Sequence, residues 1–130
     1  MPMPDDDANN PEYDEALEEV LKTLRADYLN ELPDRLAEMN GHVEKAMSNK
    51  ENPVEWLKEA HTIAHRLAGT AGSYGFAGLS RAAAELDQYL KKLLKTDEDA
   101  GPVANRLNWQ TLAELVEGMN KAVPSQQTEL

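Results

Sequence analysis

The chain contains no cysteine, which removes disulfides, thiol chemistry and zinc–thiolate sites at once. Aromatic residues are scarce, at 5 % of 130 residues, so a core has to be assembled from Leu, Ala, Val and Met, the material of helical bundles. Basic residues are outnumbered 13 to 24 by acidic ones, for a formal net charge of −11. That balance argues against non-specific binding to nucleic acid or to an anionic membrane, because both need a positive field. No apolar run approaches the roughly 18 residues of a membrane span, and the opening MPMPDDDANNPE has neither the basic nor the apolar region of a secretory signal. A cytoplasmic protein is expected. No strand-period segment and no internal repeat is present.

What is present is helical periodicity. Residues 1–11 combine Pro, Asp and Asn with little to bury and read as a disordered acidic leader. A short amphipathic pattern follows in Ala16, Leu17, Val20, Leu21 and Leu24. From Tyr28 the apolar set Leu29, Leu32, Leu36, Met39, Val43, Met47 passes through Pro33 without a change of phase, which predicts one bent helix or two nearly continuous ones. Asn52-Pro53-Val54-Glu55 predicts a helix start with Asn52 as N-cap and Glu55 closing a capping box. Further helices are predicted over about 77–95 and 108–123, the last capped by Asn108 and stopped by Pro124. The sequence therefore predicts an all-α fold: an antiparallel up-and-down four-helix bundle over 12–123, with a short extra N-terminal helix and a flexible tail at 124–130.

The helix opening near Pro53 carries the unusual stretch, EAHTIAHRLAGTAGSYGFAG from Glu59 to Gly78. It pairs His61 and His65 at i, i+4 and then spaces Gly69, Gly72, Gly75 and Gly78 three apart. Each glycine in a helix interior costs roughly 0.5–1 kcal/mol relative to alanine, so bare backbone there points to a use. Trp56, Leu57, Ala60, Ile63, Ala64, Leu67 and Ala71 fall within an arc of about 120°. His65 lies about 140° from the centre of that arc, beside Lys58, His61, Gly69 and Gly72, and is expected to be exposed.

Three chemistries compete for His65. It can be a surface histidine without a role. With His61 it can bind a metal, although the residue after His61 is Thr62, so the HExxH pattern is absent; Asp87 could contribute a third ligand, but nothing in the sequence fixes it there. Or its neutral imidazole can act as a nucleophile toward a phosphoryl group carried by another protein, which requires an open, solvent-facing site with small neighbours.

The run His65-Arg66-Leu67-Ala68-Gly69-Thr70-Ala71-Gly72-Ser73-Tyr74-Gly75-Phe76 closely resembles the phosphoacceptor motif of histidine-containing phosphotransfer (HPt) domains, H-x-L-K-G followed by small residues. The segment YLNELPDRL from Tyr28 resembles the proline-bearing first bundle helix of bacterial members. The resemblance spans about residues 13–120 and implies a phosphorelay role in two-component signal transduction. His65 would take a phosphoryl group from the phosphoaspartate of one receiver domain and pass it to the aspartate of another. The implied partners are response-regulator receivers and a hybrid histidine kinase, and the receiver would supply Mg²⁺. The chain itself would be a covalent carrier and not an enzyme with its own nucleotide site; its glycines lack the G-K-[ST] ending of a P-loop. No metal or cofactor is expected on the chain.

The resemblance also implies the neighbours. The residue that orients the imidazole in the family, a Gln or Glu, falls on Asp87. His61, Arg66, Ala68, Gly69 and Gly72 would form the receiver-docking surface. The family's lysine three residues after the histidine is Ala68 here, and Lys91, one turn beyond Asp87, is the substitute for its charge. Two other readings stand beside the free-standing carrier: a phosphoacceptor domain cut from a larger, chemotaxis-type kinase, and an adaptor bundle that is never phosphorylated. A start at Met and a polar tail favour the free-standing form, and a monomer suits a carrier that visits two partners.

Overall fold

A computed structural model describes residues 11–95 and 101–124, with side chains from residue 14 onward. Those residues form α1 (Pro11–Ser48), α2 (Val54–Ser73), α3 (Ala77–Leu94), the single turn α4 (Val103–Arg106) and α5 (Trp109–Lys121). No strand occurs among them. The expected all-α antiparallel bundle is what the four long helices build, around a core of Leu, Ala, Met and Val that includes Leu32, Met39, Leu57, Leu86 and Leu112.

The leading segment is not a separate short helix. It runs unbroken into the first bundle helix, giving α1 38 residues. Pro33 sits inside α1 on its exposed side, where the carbonyl deprived of its partner can be hydrated, and the helix carries the proline without ending. Residues 1–10 and 125–130, the greater part of the expected leader and tail, lie outside the described residues.

Polar contacts fix how the helices lie. Tyr28 Oη and Thr70 Oγ1 share a hydrogen bond of 3.0 Å, and farther along, Lys45 stands over the Trp56 ring, so α1 and α2 run antiparallel. Asn40 and Asn120 exchange reciprocal amide hydrogen bonds of 3.2 Å between α1 and α5. Asn108 caps α5 as expected, its side chain accepting from the Thr111 amide at 3.0 Å. The capping box before α2 does not form. Pro53 is the N-cap, buried, with no side-chain hydrogen bond to the helix, and its carbonyl accepts the first helical bond, from Leu57. Asn52 belongs instead to the preceding turn, donating its amide to Asn49.

The α2–α3 connection is three residues, Tyr74 to Phe76, and it positions the site. Gly75 has φ +88°, the Phe76 amide reaches back to the Ala71 carbonyl at 2.8 Å, and the Gly75 amide to Gly72 at 3.1 Å. This is a Schellman closure, which needs a residue able to adopt the left-handed conformation at that one position. It sends α3 back along α2, so that residues 80–87 of one face residues 72–61 of the other.

Candidate functional site

The folding of α3 onto α2 brings together three of the side chains singled out from the sequence. His65 is the exposed member, with 72 % of its side chain open to solvent, while the Asp87 side chain is only 9 % exposed and that of His61 28 %. His65 Nδ1 lies 3.1 Å from Asp87 Oδ2. His61 Nε2 lies 2.7 Å from Asp87 Oδ1, a short contact whose alignment falls outside hydrogen-bond geometry. The two imidazoles stand 6.1 Å apart between centroids.

This arrangement has a defined chemistry. A buried carboxylate is costly unless it is partnered, and Asp87 has a histidine at each oxygen. An acceptor at Nδ1 favours the tautomer with the proton on Nδ1, so the Nε2 lone pair of His65 is left free, facing away from Asp87. Asp87 is therefore placed to orient the ring and to offset positive charge developing on it, with the carboxylate fixed by the core face of α3. Each imidazole turns one nitrogen to the same carboxylate, and no group of metal-ligand geometry occurs among the described residues.

Around His65 the small residues do two different things. A side chain added at Gly69 would meet nothing within 4 Å, so this glycine leaves open space one turn beyond the histidine. At Gly72 an added Cβ would stand 3.1 Å from Ser80 Oγ. Ser80 in turn donates to the Ala68 carbonyl at 2.6 Å. Gly72, which the resemblance put on the docking surface, serves the close approach of α3 to α2. Ala68 is half-buried against the core, so its position offers no charge to the site.

Arg66 lies aside from the cluster. It lines a groove of about 320 Å³ between α1 and α2, together with Tyr28, Glu31, Arg35 and Tyr74. Lys91 is exposed on α3, one turn past Asp87, and makes no hydrogen bond or ion pair among the described residues. The helical repeat puts it on the flank of Asp87, but nothing ties it to either histidine. The phosphotransfer reading put His61 on the docking surface and gave it no contact with Asp87; only the metal reading had joined the three side chains. The signal was available in principle: His61 and His65 share one face at i, i+4, so an acid opposite one is within reach of both.

Comparison with known proteins adds a family. A family model described as Hpt domain matches residues 23–122, a span that takes in α2 to α5 whole and α1 from Thr23 onward. No curated protein and no solved structure matches the chain.

Proposed function

The chain belongs to the Hpt domain family, and from that premise we propose that it is a phosphorelay carrier whose phosphoacceptor is His65. The observation that supports this most is the pairing of an open Nε2 with an Nδ1 held by the buried Asp87. In this reading the Nε2 lone pair attacks the phosphorus of an aspartyl phosphate on a receiver domain. A P–N bond forms, the P–O bond to the aspartate breaks, and the receiver's carboxylate leaves with the electron pair. The ring gains positive charge in that step and retains its Nδ1 proton, and the Asp87 carboxylate offsets the charge. Attack by a second receiver's aspartate on the phosphorus reverses the chemistry and restores neutral His65.

The receiver brings Mg²⁺ in this scheme, and the chain contributes a nucleophile, an orienting acid and open space at Gly69 for the incoming domain. No helix among the described residues is long and apolar enough to cross a membrane. Lys91 is the cation closest in sequence to the orienting acid on α3, and we assign it the partial charge offset that Ala68 cannot give.

Incubation with a phosphorylated receiver should label the protein with an acid-labile, base-stable phosphoryl group. His65→Gln should abolish labelling and His61→Gln should leave it. Equal labelling of the His65→Gln protein would sink the assignment, and stable docking of a receiver without any labelling of the native chain would identify an adaptor instead.

A further inference from the structure

The first part of α1 projects beyond the bundle. The last ties between α1 and its neighbours toward this end are the hydrogen bond from Arg25 Nε to the Tyr74 carbonyl, 3.0 Å, and the packing of Tyr28 against Tyr74 and Phe76. At 1.5 Å per residue, the 14 residues from Pro11 to Leu24 extend roughly 20 Å past the α2–α3 turn. Every described side chain from Asp14 to Asp27 is exposed, and four of them are large and apolar: Leu17 at 48 %, Val20 at 55 %, Leu21 at 39 % and Leu24 at 41 %. On the helical wheel they fall within about 100°, a narrow seam of coiled-coil type. The bundle already has its four helices and leaves this seam uncovered.

We propose that the seam pairs with the same seam of a second copy, antiparallel, to form a weak two-fold dimer. The pattern is its own complement. It is symmetric about the point between Val20 and Leu21, so that reversal sets Leu17 against Leu24 and Val20 against Leu21 in both halves, as an isologous interface requires. The charges agree with the same register. Asp14, Glu18 and Arg25 lie on one flank of the seam, at roughly 70°, 110° and 90° from its centre, and in an antiparallel pair like flanks meet. Arg25 of one copy then stands level with Ala16 of the other, midway between its Asp14 and Glu18. Its Nε is held by Tyr74, which leaves the terminal nitrogens for the two carboxylates. Symmetry makes two such clusters. A parallel pair would instead set Asp14, Glu15, Glu18 and Glu19 of both copies side by side.

The size of the seam sets the strength. Four side chains over little more than one heptad cover much less than the roughly 800 Å² per partner of a standard stable interface, so association belongs in the range of about 10 μM to 1 mM. The partner helix ends near the level of Tyr28, and His65 lies farther down the bundle, so both phosphoacceptor candidates stay open. The dimer departs from the monomer expected from the sequence, and it stands or falls independently of the reading of His65.

Sedimentation equilibrium over that concentration range should show the mass rising from monomer toward dimer. Leu21→Glu should hold the protein monomeric at 1 mM with its helical circular dichroism and unfolding midpoint unchanged, because the residue is outside the bundle. Since the chain has no cysteine of its own, single cysteines report the register. Val20→Cys, next to the two-fold, should form an intermolecular disulfide with itself. Leu17→Cys should not, its two copies being about 10 Å apart along the axis, but a mixture of Leu17→Cys with Leu24→Cys should cross-link. A monomer mass at 1 mM, an unchanged mass for Leu21→Glu, or self-cross-linking of Leu17→Cys as fast as that of Val20→Cys overturns the proposal.

Discussion

Asp87→Asn separates what the acid does for the reaction from what it does for the fold. The substitution keeps shape and an acceptor oxygen but removes the charge 3.1 Å from His65 Nδ1. A hydrogen bond to a charged group contributes about 1.5–3 kcal/mol and a neutral one about 0.5–1.5, so losing the charge alone removes about 1–1.5 kcal/mol of stabilisation as the ring becomes cationic. The exposure of His65 screens part of this, which favours the lower figure. At 1.36 kcal/mol per factor of ten, phosphotransfer from a receiver should slow by about 5–10-fold in Asp87→Asn, and by about 10–100-fold in Asp87→Ala, where the whole bond is lost. Stability should move the other way or hardly at all, because Asp87 is 7 % exposed and a buried carboxylate carries a desolvation cost that the amide avoids. Rapid-quench transfer kinetics beside urea unfolding make the comparison, with ¹⁵N NMR of His65 reporting whether the Nδ1–H tautomer is lost. A wild-type transfer rate in Asp87→Asn, with the tautomer unchanged, would refute the orienting and charge-offsetting role.

Substitutions at three other positions test the surroundings. Gly69→Ala should raise unfolding stability by about 0.5–1 kcal/mol, the helix-propensity gain at a site with free space, whereas Gly69→Trp should fold as well but lose receiver-dependent labelling; a Trp variant that is labelled normally removes this face from the docking surface. Burial raises the Tyr28 phenol above 10.0, against the Thr70 hydrogen bond that lowers it and with a smaller push from Tyr74. The unfolded chain therefore loses this proton first, so the contribution of neutral Tyr28 is complete below pH 10 and fades as pH rises through the higher folded value. Tyr28→Phe should flatten that alkaline loss in denaturation curves taken from pH 9 to 12, and an identical slope would contradict it. Lys91→Ala should slow transfer several-fold at unchanged stability; an unchanged rate takes Lys91 out of the site.

The fold was legible wherever one physical signal dominated. Apolar periodicity placed α2, α3 and α5 to within a few residues, and the Asn108 cap was readable because a side chain alone makes it. The start of α2 was misread because Asn-Pro-x-Glu suits two geometries, and a buried Pro53 whose carbonyl accepts the first helical bond left Asn52 to the turn. The short extra helix expected before Tyr28 came from reading the apolar set of residues 16–24 apart from the one that begins at Tyr28, whereas one helix carries both. Periodicity within a helix does not say whether its apolar face is covered, and here it is not.

The candidate site was legible as a group of residues but not in how they pack. His65 could be found because an exposed polar position follows from the wheel. The burial of Asp87 could not, since it depends on how closely α3 approaches α2, and that approach is set by Gly72 against Ser80 and by the Schellman turn at Gly75. The glycines that first mark this stretch therefore have two different structural effects. Gly69 keeps the outer face of His65 open, while Gly72 and Gly75 let α3 come near enough for an aspartate, one methylene shorter than glutamate, to reach the imidazole. Compensation of that kind predicts that Gly72→Val, by forcing the helices apart at Ser80, should lengthen the His65–Asp87 contact and lower transfer even though it touches neither residue.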